Sequence, residues 1–172
     1  MQVIGLAGWS GAGKTTLVAK LIPALVRRGY RVSTVKHAHH SLEIDQPGKD
    51  SHTHRMVGAT EVLVSSANRF ALVHELRNES EFTLRQLLAR LGPCDLVLVE
   101  GYKRETHPKI EVYRALNGRD PLHPHDPMIR AIATDAPFPY VDLPQVHLDD
   151  VEAIADLAIR YAVPRDALLV GQ

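Results

Sequence analysis

The chain has 172 residues, 45% of them hydrophobic and 23% charged, which suits one domain with a sizeable core. Lys plus Arg and Asp plus Glu number 20 each, and this zero net charge argues against a nucleic-acid binder that relies on bulk positive charge. No apolar run approaches the roughly 20 residues of a membrane span, the first residues lack the basic start of a secretory signal, and the single cysteine, Cys94, has no partner for an internal disulfide, so a reducing cytoplasm is the expected setting.

In chain order, residues 2–8, QVIGLAG, form a short apolar run ending in glycine, the pattern of a buried parallel strand. Residues 15–28 place Leu17, Val18, Leu21, Ile22, Leu25 and Val26 on one helical stripe. Arg27, Arg28 and Gly29 supply the stop, and Pro23 is expected to bend the helix. YRVSTVKH is a second strand and completes a β-α-β unit with a right-handed crossover. Residues 38–56 are polar, with a turn at Pro47-Gly48 and a short helix starting near Asp50 or Ser51. ATEVLVSSA and RFALVHEL read as two strands joined near Ser66–Asn68, and residues 80–91 as a helix capped by Ser80 and closed by Gly92-Pro93. DLVLVEGYK is a buried strand, and KIEVYR and IRAIATD are further strands, with a turn-rich surface excursion over about 115–128 between them. Residues 148–163 form a terminal helix with Asp149 and Glu152 at capping-box spacing. Strands alternating with helices predict an α/β fold, three layers with a mainly parallel sheet, as a single domain over residues 1–172.

Gly8, Gly13, Lys14 and Thr15 fit the pattern G-x-x-x-x-G-K-[ST], with a strand before it and an amphipathic helix after it. The chemistry this pattern serves is polyphosphate binding. The turn aims the backbone N–H groups of Ser10, Gly11, Ala12 and Gly13 at one place, beside the helix start at Thr15 and Thr16. Lys14 brings charge to the β- and γ-phosphates, and the Thr15 hydroxyl is placed for Mg²⁺. Ligands of open α/β sheets gather at the carboxyl ends of strands, so Glu100, ending the strand DLVLVE, is expected beside the metal, whereas Asp95 starts that strand at the far edge. Asp45 follows the second strand and is a second acid for the metal, an orienter of attacking water, or an ordinary loop residue. His37, His39, His40, His52 and His54 crowd one region without a cysteine or a closed zinc spacing. They serve phosphate or partner contact, fill a plain loop, or bind Ni²⁺ or Zn²⁺. Lys36 and His37 directly follow a strand and are candidates to face the γ-phosphate or another anion. Residues 117–120, NGRD, have the outline of a guanine-reading Asn-Lys-x-Asp but lack the lysine and read as a turn. Thr134 and Asp135 end a strand at the ligand edge and are the candidates for the base pocket.

Together GWSGAGKTTL, VKHAHHSLEIDQPGKDSHTHRMVGA and LVLVEGYK resemble the MobB family of molybdopterin-guanine dinucleotide biosynthesis over residues 2 to about 160. The middle block, with KH, DxPGKDS and GA in register, is the specific part, since the phosphate loop alone is widespread. The resemblance implies a P-loop NTPase-type fold related to dethiobiotin synthetase-like proteins, in which Thr15, Asp45 and Glu100 surround Mg²⁺. It implies a homodimeric GTP-binding accessory protein with weak GTPase activity, which assists the guanylyltransferase MobA in attaching GMP to molybdopterin. The competing expectations are a small-molecule kinase or ligase of the P-loop class, and a nickel-delivery GTPase using the histidine-rich loop. No nucleic-acid or membrane partner is expected.

Overall fold

The computed structural model describes residues 1–38 and 45–169, so His39 and His40 lie outside the described residues. Its elements are Gln2–Ala7 (β1), Lys14–Arg27 (α1), Val32–Lys36 (β2), Asp50–Met56 (α2), Glu61–Ser65 (β3), Phe70–His74 (β4), Leu84–Arg90 (α3), Leu96–Glu100 (β5), Lys109–Tyr113 (β6), Ile129–Thr134 (β7), Gln145–His147 (β8), Val151–Tyr161 (α4) and Val163–Pro164 (β9). They divide into two compact units, Met1–His37 with Leu84–Gln172, and Ala38–Thr83. Among the described residues no helix is long and apolar enough to cross a membrane.

In the first unit the sheet runs β2-β5-β1-β6-β7-β8, and every neighbouring pair is parallel. Only β9 is antiparallel, pairing with β1 at Gln2 and Val3. Alternation along the strands sorts side chains to two faces. Ile4, Leu6, Leu96, Leu98, Ile110 and Val112 pack with Leu17, Leu21 and Leu25 of α1 and Ile154 and Leu157 of α4. Val3, Val35, Val97 and Val99 point the other way, onto Leu84 and Leu88 of α3. The result is the expected three-layer α/β arrangement, in which each fully buried Leu or Ile contributes roughly 1.5–3 kcal/mol. β1 is central, with β5 on one side and β6 on the other, so whatever follows β1 is flanked by the ends of both neighbours.

The second unit holds α2 and the antiparallel pair β3–β4, in which Leu63 faces Leu72 and Ser65 faces Phe70. Leu63, Phe70 and Leu72 share one face of this hairpin and are exposed by half or more of their surface.

Several boundaries differ from expectation. α1 continues through Pro23, and its end is set by Gly29, with the Tyr30 amide reaching back to the Leu25 carbonyl. α3 starts at Leu84 rather than residue 80, so Ser80 is not at its N-terminus. The segment before it belongs to the second unit, where Phe82 packs on the His74 ring at 5.5 Å. The cap of α4 is Asp150, which accepts from the Ala153 amide at 3.0 Å, and not Asp149. Glu152 is drawn instead to Arg27 and Arg28 of α1. β8 and β9, with three and two residues, are too short to display a period in the sequence.

Candidate functional site

The loop between β1 and α1 builds the site from backbone. Gly13 precedes the helix at φ 95°, a left-handed conformation that glycine adopts without steric cost. No side chain caps α1 and no acid lies in its first turn. The first amides of a helix have no acceptor within it, so the positive end of α1 is open to an anion. A cleft of about 440 Å³ lies in front of it, lined by Ser10, Gly11, Gly13, Lys14, Thr15, Thr16, Lys36 and Glu100. The sequence assigned every one of these residues to the site.

Charge inside the cleft is mixed. The Lys14 ammonium donates to the carbonyls of Gly8 and Trp9, both at 2.9 Å. Burial pulls its pKa below the ordinary lysine value; nearby Glu100 opposes this, while Lys103 and Lys36 reinforce it. Thr15 Oγ1 donates to Glu100 Oε1 at 3.3 Å, and Lys36 Nζ stands 3.8 Å from Glu100 Oε2. A hydroxyl and a carboxylate side by side are hard oxygen donors suited to Mg²⁺. Parallel pairing of β2 with β5 explains the meeting, since it aligns Lys36 with Glu100. Asp95 lies at the opposite end of β5, paired with Arg31, whose guanidinium and amide hold its carboxyl at a pKa of about 2.

Other candidates are placed differently. Asp45 belongs to the second unit, where Ser51 donates to it at 2.8 Å and Arg55 stands at 3.4 Å. Gly8 and Ala12 support the loop without lining the cleft, Ala12 being buried. The His37 amide donates to the Glu100 carbonyl, and its ring meets Tyr102 edge-on at 5.3 Å. Thr134 is buried, its hydroxyl engaged with the backbone of Ala136. Asp135 accepts from the Ala115 amide at 2.9 Å and pairs with Arg114 at 3.7 Å. Neither Thr134 nor Asp135 lines the cleft. Among the described residues no three His, Cys, Asp or Glu side chains converge to hold a metal ion.

The sequence profile described as "MobB: Molybdopterin guanine dinucleotide synthesis protein B" matches residues 3–135. The chain belongs to the MobB family. The chain is 41% identical over 164 residues to the molybdopterin-guanine dinucleotide biosynthesis adapter protein of Escherichia coli, covering 94% of this chain and 93% of that one. Its identity to the protein of the same name from Haemophilus influenzae is 37%, covering 91% and 86%. The crystal structure of a MobB homolog from Bacillus stearothermophilus superposes with a TM-score of 0.67 at 30% identity, covering 92% of this chain and 95% of that one.

Two features of the site were not legible in this family's motifs. The segment after β6 lies along the phosphate loop: Asn117 donates to the Ser10 carbonyl at 3.0 Å, and the Trp9 indole donates to the Asp120 carbonyl at 2.8 Å. The turn expected at NGRD exists, with Gly118 left-handed, but it also serves the loop. Lys103 stands 4.4 Å over the Trp9 ring, an attraction between cation and ring face that joins the loops after β1 and β5.

Proposed function

We propose that this chain is a GTP-binding adapter of molybdopterin-guanine dinucleotide synthesis, with weak Mg²⁺-dependent GTPase activity, working in the cytoplasm beside a MobA-type guanylyltransferase. The observation that carries the nucleotide reading is the uncapped start of α1 opening on a cleft that holds Lys14, Lys36, Thr15 and Glu100. Loop amides and Lys14 would bind the phosphate chain, and Lys36 would balance the charge of Glu100. Thr15 and Glu100 would hold the magnesium ion. Bound there, the ion would offset charge on the β- and γ-oxygens. Weak turnover fits this lining, which among the described residues includes neither a glutamine nor an arginine. His37 and Thr134 are assigned supporting positions, as neighbours of the cleft's walls.

A homodimer is part of the same reading. The face carrying Leu63, Phe70 and Leu72 is apolar and exposed on a two-stranded hairpin, an arrangement marginally stable in water without a covering surface. A second copy of this chain would supply that cover.

Calorimetry with GTP and Mg²⁺ tests the nucleotide reading. Wild type is expected to bind, and Lys14→Ala to bind roughly 10- to 100-fold more weakly, the range for losing a charged hydrogen-bond partner. Circular dichroism should be unchanged, because the Lys14 hydrogen bonds go to the loop carbonyls of Gly8 and Trp9 and not to the core. Absence of heat from wild type at millimolar GTP would overturn the proposal.

A further inference from the structure

The phosphate loop has two walls. One is the end of β5 with Glu100, beside Lys36 of β2. The other is the turn after β6, and it touches the loop at three successive points. Arg114 brings its guanidinium within 3.6 Å of where a Cβ on Gly13 would stand. Asn117 places Oδ1 3.0 Å from the corresponding point on Gly11 while donating to the Ser10 carbonyl. The Asp120 carbonyl holds the Trp9 indole. Residues 114–120 thus run alongside residues 9–13.

Of the two arginines of this wall, Arg119 lies 5.8 Å from the Trp9 ring and Arg114 stands beside Gly13 at the helix start. The Arg114 side chain is 41% exposed, and its ion-pair partner is Asp135 at 3.7 Å, a separation that leaves the pair loose. Asp135 in turn accepts from the Ala115 amide at 2.9 Å, which fixes the backbone on which Arg114 stands. The turn is anchored from below as well. Buried Glu111 of β6 accepts from the amides of Leu122 and His123 and from His123 Nδ1 at 2.8 Å. The guanidinium is not among the groups lining the cleft, but it stands beside Gly13, the last residue before the helix start that draws anions.

We infer that Arg114 is a nucleotide-contacting residue, a second cation for the phosphate chain opposite Lys14, and that Asp135 is its positioning residue rather than a reader of the base. This rests on the nucleotide-binding reading and deepens it. The ligand class is a nucleoside di- or triphosphate, with the contact made to phosphate oxygens. The base plays no part in it.

The test is binding of GTP, guanosine and XTP by wild type, Arg114→Ala, Arg114→Gln and Asp135→Asn, measured by calorimetry with Mg²⁺. Arg114→Ala is expected to lose between fivefold and 100-fold in GTP affinity with no change for guanosine. Arg114→Gln keeps the stem and serves if the alanine variant folds poorly. Asp135→Asn keeps an acceptor for the Ala115 amide and removes the charge, so GTP and XTP should weaken by the same factor. If Asp135 read guanine N1 and N2, the asparagine variant would lose GTP and gain XTP, since xanthine carries an oxygen where guanine carries an amine. That exchange, or an Arg114→Ala affinity for GTP within fivefold of wild type, overturns the inference. If wild type itself binds no GTP, the nucleotide-binding reading is what fails.

Discussion

Acidification from pH 8 to pH 5 should destabilise this fold through His107. Its ring is 2% exposed and lies against Gly5 of β1, and its Nδ1 has no hydrogen-bond partner. Burial, reinforced by the neighbouring Lys109 ammonium, holds its pKa down at about 4, compared with 6.5 in water. The sign follows from which state takes the proton first. Between pH 6.5 and 4 the unfolded chain is protonated and the folded chain is not, so the unfolded state gains. Stability is therefore full above pH 6.5 and declines as pH falls toward 4. The gap between those values, at 1.36 kcal/mol for each pH unit, amounts to about 3 kcal/mol, of which about 2 kcal/mol is lost by pH 5. Urea unfolding at pH 8 and pH 5 measures it, with His107→Leu as the non-titrating comparison of similar size. Wild type should lose about 2 kcal/mol more than the variant between the two conditions. His74, whose pKa is raised chiefly by its hydrogen bond to Glu61, contributes in the opposite sense, losing stability as pH rises, but it is present in both proteins and cancels. Equal pH dependence in the two proteins would refute the reasoning.

Three further outcomes follow from single contacts. A Cβ on residue 5 would fall 2.3 Å from His107 Nε2, so Gly5→Ala is expected to cost about 1–3 kcal/mol in chemical unfolding; a midpoint equal to wild type would contradict this packing. Glu100→Gln keeps the shape beside Thr15 but removes the charge, so GTP binding should weaken by about tenfold with Mg²⁺ present and hold or strengthen in EDTA; the same loss in both conditions would separate Glu100 from the metal. Phe70→Asp places a charge on the apolar hairpin face and should convert a dimer to a monomer in sedimentation at micromolar concentration, whereas an unchanged mass would assign the interface elsewhere.

What was legible in the sequence is what is local. The strand, loop and helix over residues 2–27 carry their own punctuation: an apolar run, three glycines, a helical stripe and Gly29. Glu100 was legible because a strand's carboxyl end is a position in the chain, and parallel pairing then brings it to Thr15. Other features depend on contacts across many residues. Asn117 touches Ser10 from 107 positions away, and NGRD reads as a turn whether or not its asparagine reaches anything. The α4 cap was missed by one residue because Asp149 and Asp150 are equally good caps, and the choice went with the geometry of Glu152 against Arg27 and Arg28.

Lys109 and Glu111 carry the same lesson further. In KIEVY they look like the solvent-facing residues of an alternating strand, yet both are 1% exposed. They are buried because residues 115–128 fold back over β6: Asp126 meets Lys109 at 3.1 Å, and Leu122 and His123 bond to Glu111. A buried charge with its partner removed costs about 3–5 kcal/mol, so these pairs fix the excursion firmly in one place. That place is the edge of the phosphate loop, because β6 is the neighbour of β1 and a segment pinned to β6 must end beside it. The strand order therefore decides both walls of the site at once: β5 brings Glu100 beside Thr15, and β6 brings an arginine and an asparagine that a reading confined to the loop motif leaves out.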